Sequence, residues 1–421
     1  MAKRAGLAFC LWLGAVGALL CPAAAADLEI ESLVREAVSR NPGIRAARER
    51  ESALRERVPQ AGALEDPMIG LGILNVPRNL DLDEEDMTAK ELSLAQKFPF
   101  PGKLRAAVDA AELEAQAARA EAEETANRVA AEVKEAFYEL SHAHRALEVA
   151  RRNRELLEEL ARIGRARYAV GRGRQEELLR TELEITGMAD ELLRLEAQKT
   201  AAEARLAELL DRPPDGPWGR PLDPPFAPPP LALEELRGRA TAENPGLRAL
   251  RLAVLARRAE LERARREALP DFTLKFAYGQ RDDRLDMLSG MVEMNVPIYY
   301  GSKQGRRVAE ELALVRAAES RLAAAQNELF ARIARLEARL RSFERRIALF
   351  RSGILPQAQL RLESTFSAYR VDRTGFAEVV EVRMRLYRLE LDYHEALTEH
   401  GKAIAALEAA IGGPLVPGRS K

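Results

Sequence analysis

The sequence predicts a mainly α protein with a small membrane β part, built from tandem-duplicated long α-helical hairpins plus four β-strands per chain. Three observations carry this. The composition is that of long helices, the chain is written twice, and period-two alternation is confined to four short patches.

Of 421 residues, 31% are charged and only 5% aromatic, with Ala, Leu, Glu and Arg in excess. That mixture favours long helices and coiled coils over a compact α/β enzyme, although the length alone would suggest two or three domains. Lys and Arg number 65 against 66 Asp and Glu, so no basic footprint for nucleic acid exists. The chain opens Met-Ala-Lys-Arg, runs apolar from Ala5 to Leu20, and reaches Ala23–Ala26, which predicts a secretory signal peptide over 1–26. The apolar run is short for a spanning helix. Cys10 and Cys21 both lie inside it, so the mature chain has no disulfide and no thiol metal ligand. Leu20 directly before Cys21 fits lipoprotein processing poorly, and cleavage near Ala25 or Ala26 is expected. Losing Lys3 and Arg4 leaves 63 basic against 66 acidic residues, a net charge of −3. No later segment has 18 uncharged apolar residues, so no transmembrane helix is predicted. Such an exported chain is periplasmic, secreted, or an outer-membrane β-barrel.

The duplication is read from landmarks. Ala37-x-x-x-Asn41-Pro42-Gly43-Ile44-Arg45-Ala46 recurs as Ala240-x-x-x-Asn244-Pro245-Gly246-Leu247-Arg248-Ala249. Phe98-Pro99 with Gly102-Lys103 recurs as Val296-Pro297 with Gly301 and Lys303, and Tyr168-Ala-Val170 recurs as Tyr369-Arg-Val371. The first repeat is placed at 27–212 and the second at 233–415, with a six-residue tail at 416–421. Proline density over 213–232 forbids helix and predicts a semi-rigid linker between them.

Each repeat has one plan. A helix (about 30–57, and 233–267) leads to two strands, then to a very long helix, a turn and a returning helix. In the first repeat the long helix covers about Leu104 to Tyr168, roughly 100 Å at 1.5 Å per residue. In the second, Pro356 predicts a kink or break near Gly353. The returning helices carry an alternating three-four seam: Val379, Val382, Leu386, Leu389, Tyr393, Ala396, His400, Ala403, Leu407 and Ala410. Its counterpart 201 residues earlier begins Leu178, Thr181, Ile185, Met188. Such a seam predicts knobs-into-holes packing.

The strands are placed at about 67–76, 87–98, 271–279 and 287–298. In each, apolar residues alternate with small or polar ones: Ile69, Leu71 and Ile73 with glycines, and Leu92, Leu94 and Phe98 with Glu91, Ser93 and Lys97. Phe272, Leu274, Phe276 and Tyr278 follow the same rule, as do Leu288, Val292, Met294, Val296 and Ile298. Few apolar strand residues remain to build a soluble core around them, so the apolar faces fit lipid and the polar faces water. Four strands leave two open edges, which lipid does not tolerate. The chain must then oligomerise: two copies supply eight strands with a filled interior, three supply twelve with room for a lumen. At the strand exits, Pro99, Pro101 and Gly102, and Pro297 and Gly301, stop the ladder and turn the chain. At the far ends of the hairpins, Gly171, Gly173 and Gly375 permit tight turns.

The duplicated plan, the two N-P-G helix starts, the exits P-F-P-G-K and P-I-Y-Y-G-S-K and the Y-x-V turns resemble the TolC-type outer-membrane efflux channel family over essentially the whole mature chain. Gln96-Lys97-Phe98-Pro99-Phe100-Pro101-Gly102-Lys103 is most similar to its heavy-metal, Cus/Czc-type branch. The resemblance implies a homotrimer in the outer membrane of a Gram-negative cell, with a twelve-stranded β-barrel on a twelve-helix coiled-coil tunnel in the periplasm. It also implies partners: outer-membrane lipid, a periplasmic membrane-fusion adaptor, and an inner-membrane pump of the resistance-nodulation-division (RND) class. By the family's pattern, the tips at Tyr168, Val170, Gly171, Gly173, Tyr369, Val371 and Gly375 dock the adaptor. Glu378 and Glu381, with Glu177 as a repeat partner, then form carboxylate rings that attract cations at the periplasmic entrance. Arg172, Arg174, Arg370 and Arg373 stand close enough in sequence to pair with them and hold the mouth closed.

His142, His144, His394 and His400 read as structural or surface residues, since His142 and His144 do not share a helix face. Met291 and Met294 have opposite strand parity, so with Met287 they read as barrel residues and not a soft-metal relay. No nucleophile–base set, metal-ligand cluster or phosphate-binding loop occurs, so neither cofactor nor catalysis is expected. The competing reading is a soluble periplasmic coiled-coil scaffold with the strands as a capping sheet. Within the transport class, drugs or polypeptides are the alternative cargo.

Overall fold

The computed structural model describes residues 27–78, 85–171, 173–222, 232–282 and 284–415. The signal-peptide reading, Arg172, part of the linker and the tail lie outside the described residues. In chain order the elements are α1 (Ile30–Arg40), α2 (Pro42–Gly62), β1 (Met68–Leu74), β2 (Ala89–Phe98), α3 (Lys103–Ala169) and α4 (Gln175–Leu210). The second half repeats the order: α5 (Leu233–Glu243), α6 (Pro245–Arg266), β3 (Phe272–Gln280), β4 (Met287–Met294), α7 (Gln304–Leu349), α8 (Leu355–Arg370) and α9 (Phe376–Ile411).

The single opening helix expected in each repeat is two helices, and the reason is the Asn-Pro pair. Proline disfavours helical backbone at the residue before it, and Asn41 sits at φ −56°, ψ 125°. Its Oδ1 accepts from the amides of Gly43 (2.9 Å) and Ile44 (3.3 Å), capping α2. Its Nδ2 donates to the Leu209 carbonyl at 2.9 Å, near the end of α4. Asn244 repeats both functions, accepting from Leu247 at 2.8 Å and donating to the Ala410 carbonyl at 3.0 Å near the end of α9. One side chain thus starts a helix and fixes where the returning helix ends. The break expected near Gly353 is a π-helical turn, Phe350–Ile354, through which the path continues into α8. The wider turn accommodates Pro356, which has no amide to give the ladder.

The four strands form one antiparallel sheet in the order β1-β2-β3-β4. The β2–β3 ladder, with Phe98 opposite Phe272 and Leu92 opposite Tyr278, joins the hairpins of the two repeats. Partners across a ladder share a face. One face therefore carries Ile69, Leu71, Leu92, Leu94, Phe276, Tyr278, Leu288 and Val292. The other carries Gly70, Glu91, Ser93, Lys97, Thr273, Lys275, Ser289 and Glu293, with Lys275 3.4 Å from Glu91. Leu71 is 83% exposed and Leu288 86%, so nothing among the described residues covers the apolar face. β4 stops at Met294, short of the expected 298; Val296 and Ile298 lie beyond the ladder in a turn.

α3 is the spine, packed against α1, α2, α4, α6 and α9. Gly401 of α9 lies so close to Tyr138 of α3 that a Cβ there would overlap the ring. Along the seam of α9, Val379, Val382, Leu386, Ala396, His400, Ala403, Leu407 and Ala410 are buried. Two further buried positions, Val380 and Tyr387, widen its apolar face, because α9 packs on α3 as well as on α7 and α8.

His400 is 2% exposed, and burial pushes its imidazole down to about 4. Glu344 lies 4.0 Å away, but burial raises its own carboxyl and weakens the attraction. The folded state therefore holds His400 neutral, while the unfolded chain takes up a proton below about pH 6.5. Its contribution is present above that value and is lost as pH falls toward about 4. In thermal melts between pH 7.5 and 4.5, His400→Gln should flatten the acid side of the stability profile by roughly 2 kcal/mol per chain.

Candidate functional site

The far ends of the two hairpins meet. α3 ends at Ala169 and α4 begins at Gln175; α8 ends at Arg370 and α9 begins at Phe376. Gly171 takes a left-handed conformation (φ 72°) at the first tip, and Asp372 takes it at the matching place in the second (φ 54°). Asp tolerates this backbone better than most residues do. Gly173 and Gly375 serve close approach instead: a Cβ would come within 3.0 Å of the Tyr168 amide nitrogen at the first and 3.2 Å of Glu177 Oε1 at the second.

Arg167, which the sequence did not single out, clasps the tips together. Its guanidinium lies 2.9 Å from Asp372 and 4.4 Å from the centre of the Tyr369 ring. Desolvation lowers the Arg167 guanidinium, but the Tyr369 hydroxyl and Asp372 together outweigh it and hold the group above the ordinary arginine range. Tyr369 in turn packs on Phe376, centroids 5.6 Å apart, and Phe376 faces Gly164 of α3. A cleft of about 190 Å³ lies between the tips, lined by Arg167, Arg174, Glu177, Tyr369, Asp372 and Thr374. The signal that would have found Arg167 is only its place beside Tyr168, which no pattern marks.

The proposed gate carboxylates are exposed or half-buried. Glu378 and Glu381 project from the side of α9 opposite its buried stripe, and Glu177 is half-buried at the start of α4. Thr374 donates to Glu378 at 3.1 Å, and Arg180 lies 3.7 Å from Glu381. Arg174 pairs with Glu176 at 3.4 Å and not with the gate residues. Among the described residues no ion pair joins Arg370 or Arg373 to these carboxylates within one chain. Tyr168, Val170 and Val371 are exposed at the tips, Val170 by 70%.

Further from the tips, Arg383 of α9 is buried against α3, where its Nε donates to Asn153 Oδ1 at 2.8 Å. Burial lowers its guanidinium from the ordinary range, with Glu390 opposing the shift. One guanidinium and one side-chain amide inside an otherwise apolar cluster fix the register of α9 on α3.

At the other end, the barrel base is built by the first strand exit. Gly102 sits at φ 90° and begins the turn into α3. Asp271, just before β3, accepts from the Phe100 amide at 3.0 Å and from Lys103 Nζ at 2.7 Å. Lys103 also donates to the Leu269 carbonyl at 2.7 Å. The second exit is longer: the Tyr299 carbonyl accepts from Ser302 and Lys303, and Gly301 is not left-handed.

A model of the outer membrane efflux protein family matches residues 33–212 and 236–413, one segment in each repeat. The chain therefore belongs to the outer membrane efflux protein family, a family of passive channels and not of enzymes. Similar solved structures include the outer-membrane channel OprN (18% identity, TM-score 0.80, covering 92% of this chain and 91% of that one). CusC is similar at 15% identity and TM-score 0.78, covering 93% of each chain. VceC of Vibrio cholerae is similar at 19% identity and TM-score 0.78, covering 92% and 97%. Among curated proteins none matches the sequence. The protein is an outer-membrane efflux channel, mainly helical, with four antiparallel strands per chain.

The tip contacts make a local prediction. Asp372→Ala removes the Arg167 pair and leaves a non-glycine residue in a left-handed conformation without a polar side chain. Amide exchange over residues 371–376 should rise about tenfold relative to wild type, with exchange in the middle of α3 unchanged.

Proposed function

We propose that three copies close their sheets into a twelve-stranded barrel and stack their hairpins into a twelve-helix tunnel. This assembly is the exit duct of a tripartite efflux system. The observation that carries the reading is the sheet: one exposed apolar face, one polar face, and two edges without partners. Hydrocarbon tolerates none of those open edges, and three copies give a lumen wide enough for water. The two structural repeats, with their tips at Tyr168–Val170 and Tyr369–Val371, present docking surfaces to a periplasmic adaptor, which links the duct to an inner-membrane RND pump. Heavy-metal cations are the cargo this reading favours, because of the Cus/Czc-like strand exit and the carboxylates at the mouth. Export of drugs or polypeptides is the alternative within the class.

The assembly is tested on unboiled and boiled samples of the outer-membrane fraction. A heat-modifiable trimer is expected; a monomer that stays soluble without detergent would favour the scaffold reading. At the mouth, Glu378→Ala combined with Glu381→Ala should lower cation preference in planar-bilayer recordings, because three copies lose six carboxylates. Unchanged ion selectivity would remove both residues from the gate.

A further inference from the structure

The two repeats solve the same problem at the barrel base, but only one solution is complete within a chain. Lys103 and Asp271 are 13% and 16% exposed, 2.7 Å apart, and clamp the exit of β2 to the start of β3. Lys103 belongs to the first repeat and Asp271 to the second, so this pair closes the seam between repeats.

The register identifies the counterparts. Phe98 and Val296 correspond in the duplication, 198 residues apart, so Ala95 corresponds to Glu293. Their hairpin partners are Met68 and Thr273. Those two therefore correspond, and two residues earlier so do Asp66 and Asp271. Lys303 corresponds to Lys103 through the exits Gly102-Lys103 and Gly301-Ser302-Lys303. Asp66 precedes the free edge strand β1, and Lys303 follows the free edge strand β4. Both are exposed, and among the described residues neither has an ion-pair partner.

We propose that Lys303 of one copy forms an ion pair with Asp66 of the next, repeating the Lys103–Asp271 clamp at every seam between copies. The inference rests on the proposed closure of the barrel by further copies of this chain. Opposite charges stand at the two edges that must meet, and the pattern continues an interface already formed inside the chain. The faces agree with it. Carrying the β2–β3 register to the seam puts Met294 opposite Ile69 and Val292 opposite Leu71, apolar against apolar. A slip of one residue would turn every one of those side chains into the lumen.

The mature chain contains no cysteine if cleavage falls after Cys21, so engineered pairs are clean reporters. In the full-length protein extracted from membranes, Asp66→Cys with Lys303→Cys should be joined by a bis-maleimide long enough to span a Lys–Asp pair, giving covalent ladders that survive boiling. More than about half of the chains should be linked by such a reagent, whereas the Cα atoms of a Lys–Asp pair stand beyond the ~7 Å that a disulfide bridges. Either single cysteine should give none. Separately, Lys303→Glu should lower the temperature at which the trimer dissociates, and Lys303→Glu with Asp66→Lys should restore it. Trimers that form normally but neither cross-link nor respond to Lys303→Glu overturn the clamp and leave the assembly standing. Absence of any membrane-embedded oligomer in the wild type overturns the assembly reading, and the clamp with it.

Discussion

Every part of this molecule answers to one constraint: a β-sheet in hydrocarbon must pair all of its backbone. Four strands cannot do so, and their apolar face is left bare by the other described residues. The sheet is therefore a fragment whose completion lies in other copies. The helices below it have the opposite character, since their backbone is satisfied within each helix and their seams close largely within one chain. A small incomplete part in lipid is thus carried on a large part that is nearly complete in water.

The junction between those parts carries the strain of the change. β2 ends in two prolines and a left-handed glycine, and the Lys103–Asp271 pair locks the turn to the neighbouring strand. A charged pair this sheltered contributes little net energy by attraction, because desolvation offsets it. Its use is positional, since Asp271 also takes the Phe100 amide that the ended ladder leaves without a strand partner. At the far end, the tips are held by a lighter set: one ion pair, one cation–π contact and a small aromatic cluster. Asp372 is 73% exposed, so that ion pair is worth little in water. The tips are thus tied loosely, whereas the Arg383–Asn153 bond further up holds α9 in register on α3.

Much of the fold was legible because its signals are periodic. Strand alternation, the three-four seam and the repeated landmarks are local patterns that survive in a single chain. The errors came where a local residue overrides the period. Asn41-Pro42 and Asn244-Pro245 marked helix starts in the sequence, yet they also end the helix before them, since proline constrains its predecessor. Pro356 looked like a break, and the chain absorbed it in one wide turn. At the tips, Glu378, Glu381 and Glu177 were singled out through the repeat pattern and the resemblance, but their neighbours were not. Arg180 and Thr374 are ordinary helix-start residues whose partners are set by how two hairpins lie together.

The sequence by itself determined the duplication, the four alternating strands, the helical hairpins and the insufficiency of one copy. Each of these follows from hydrophobic period and chain length. Only the tertiary structure decided that β2 pairs with β3, that Asp271 receives Lys103, and that Arg167 joins the two tips. Those contacts link residues more than 160 positions apart, and no local period encodes a distance of that kind.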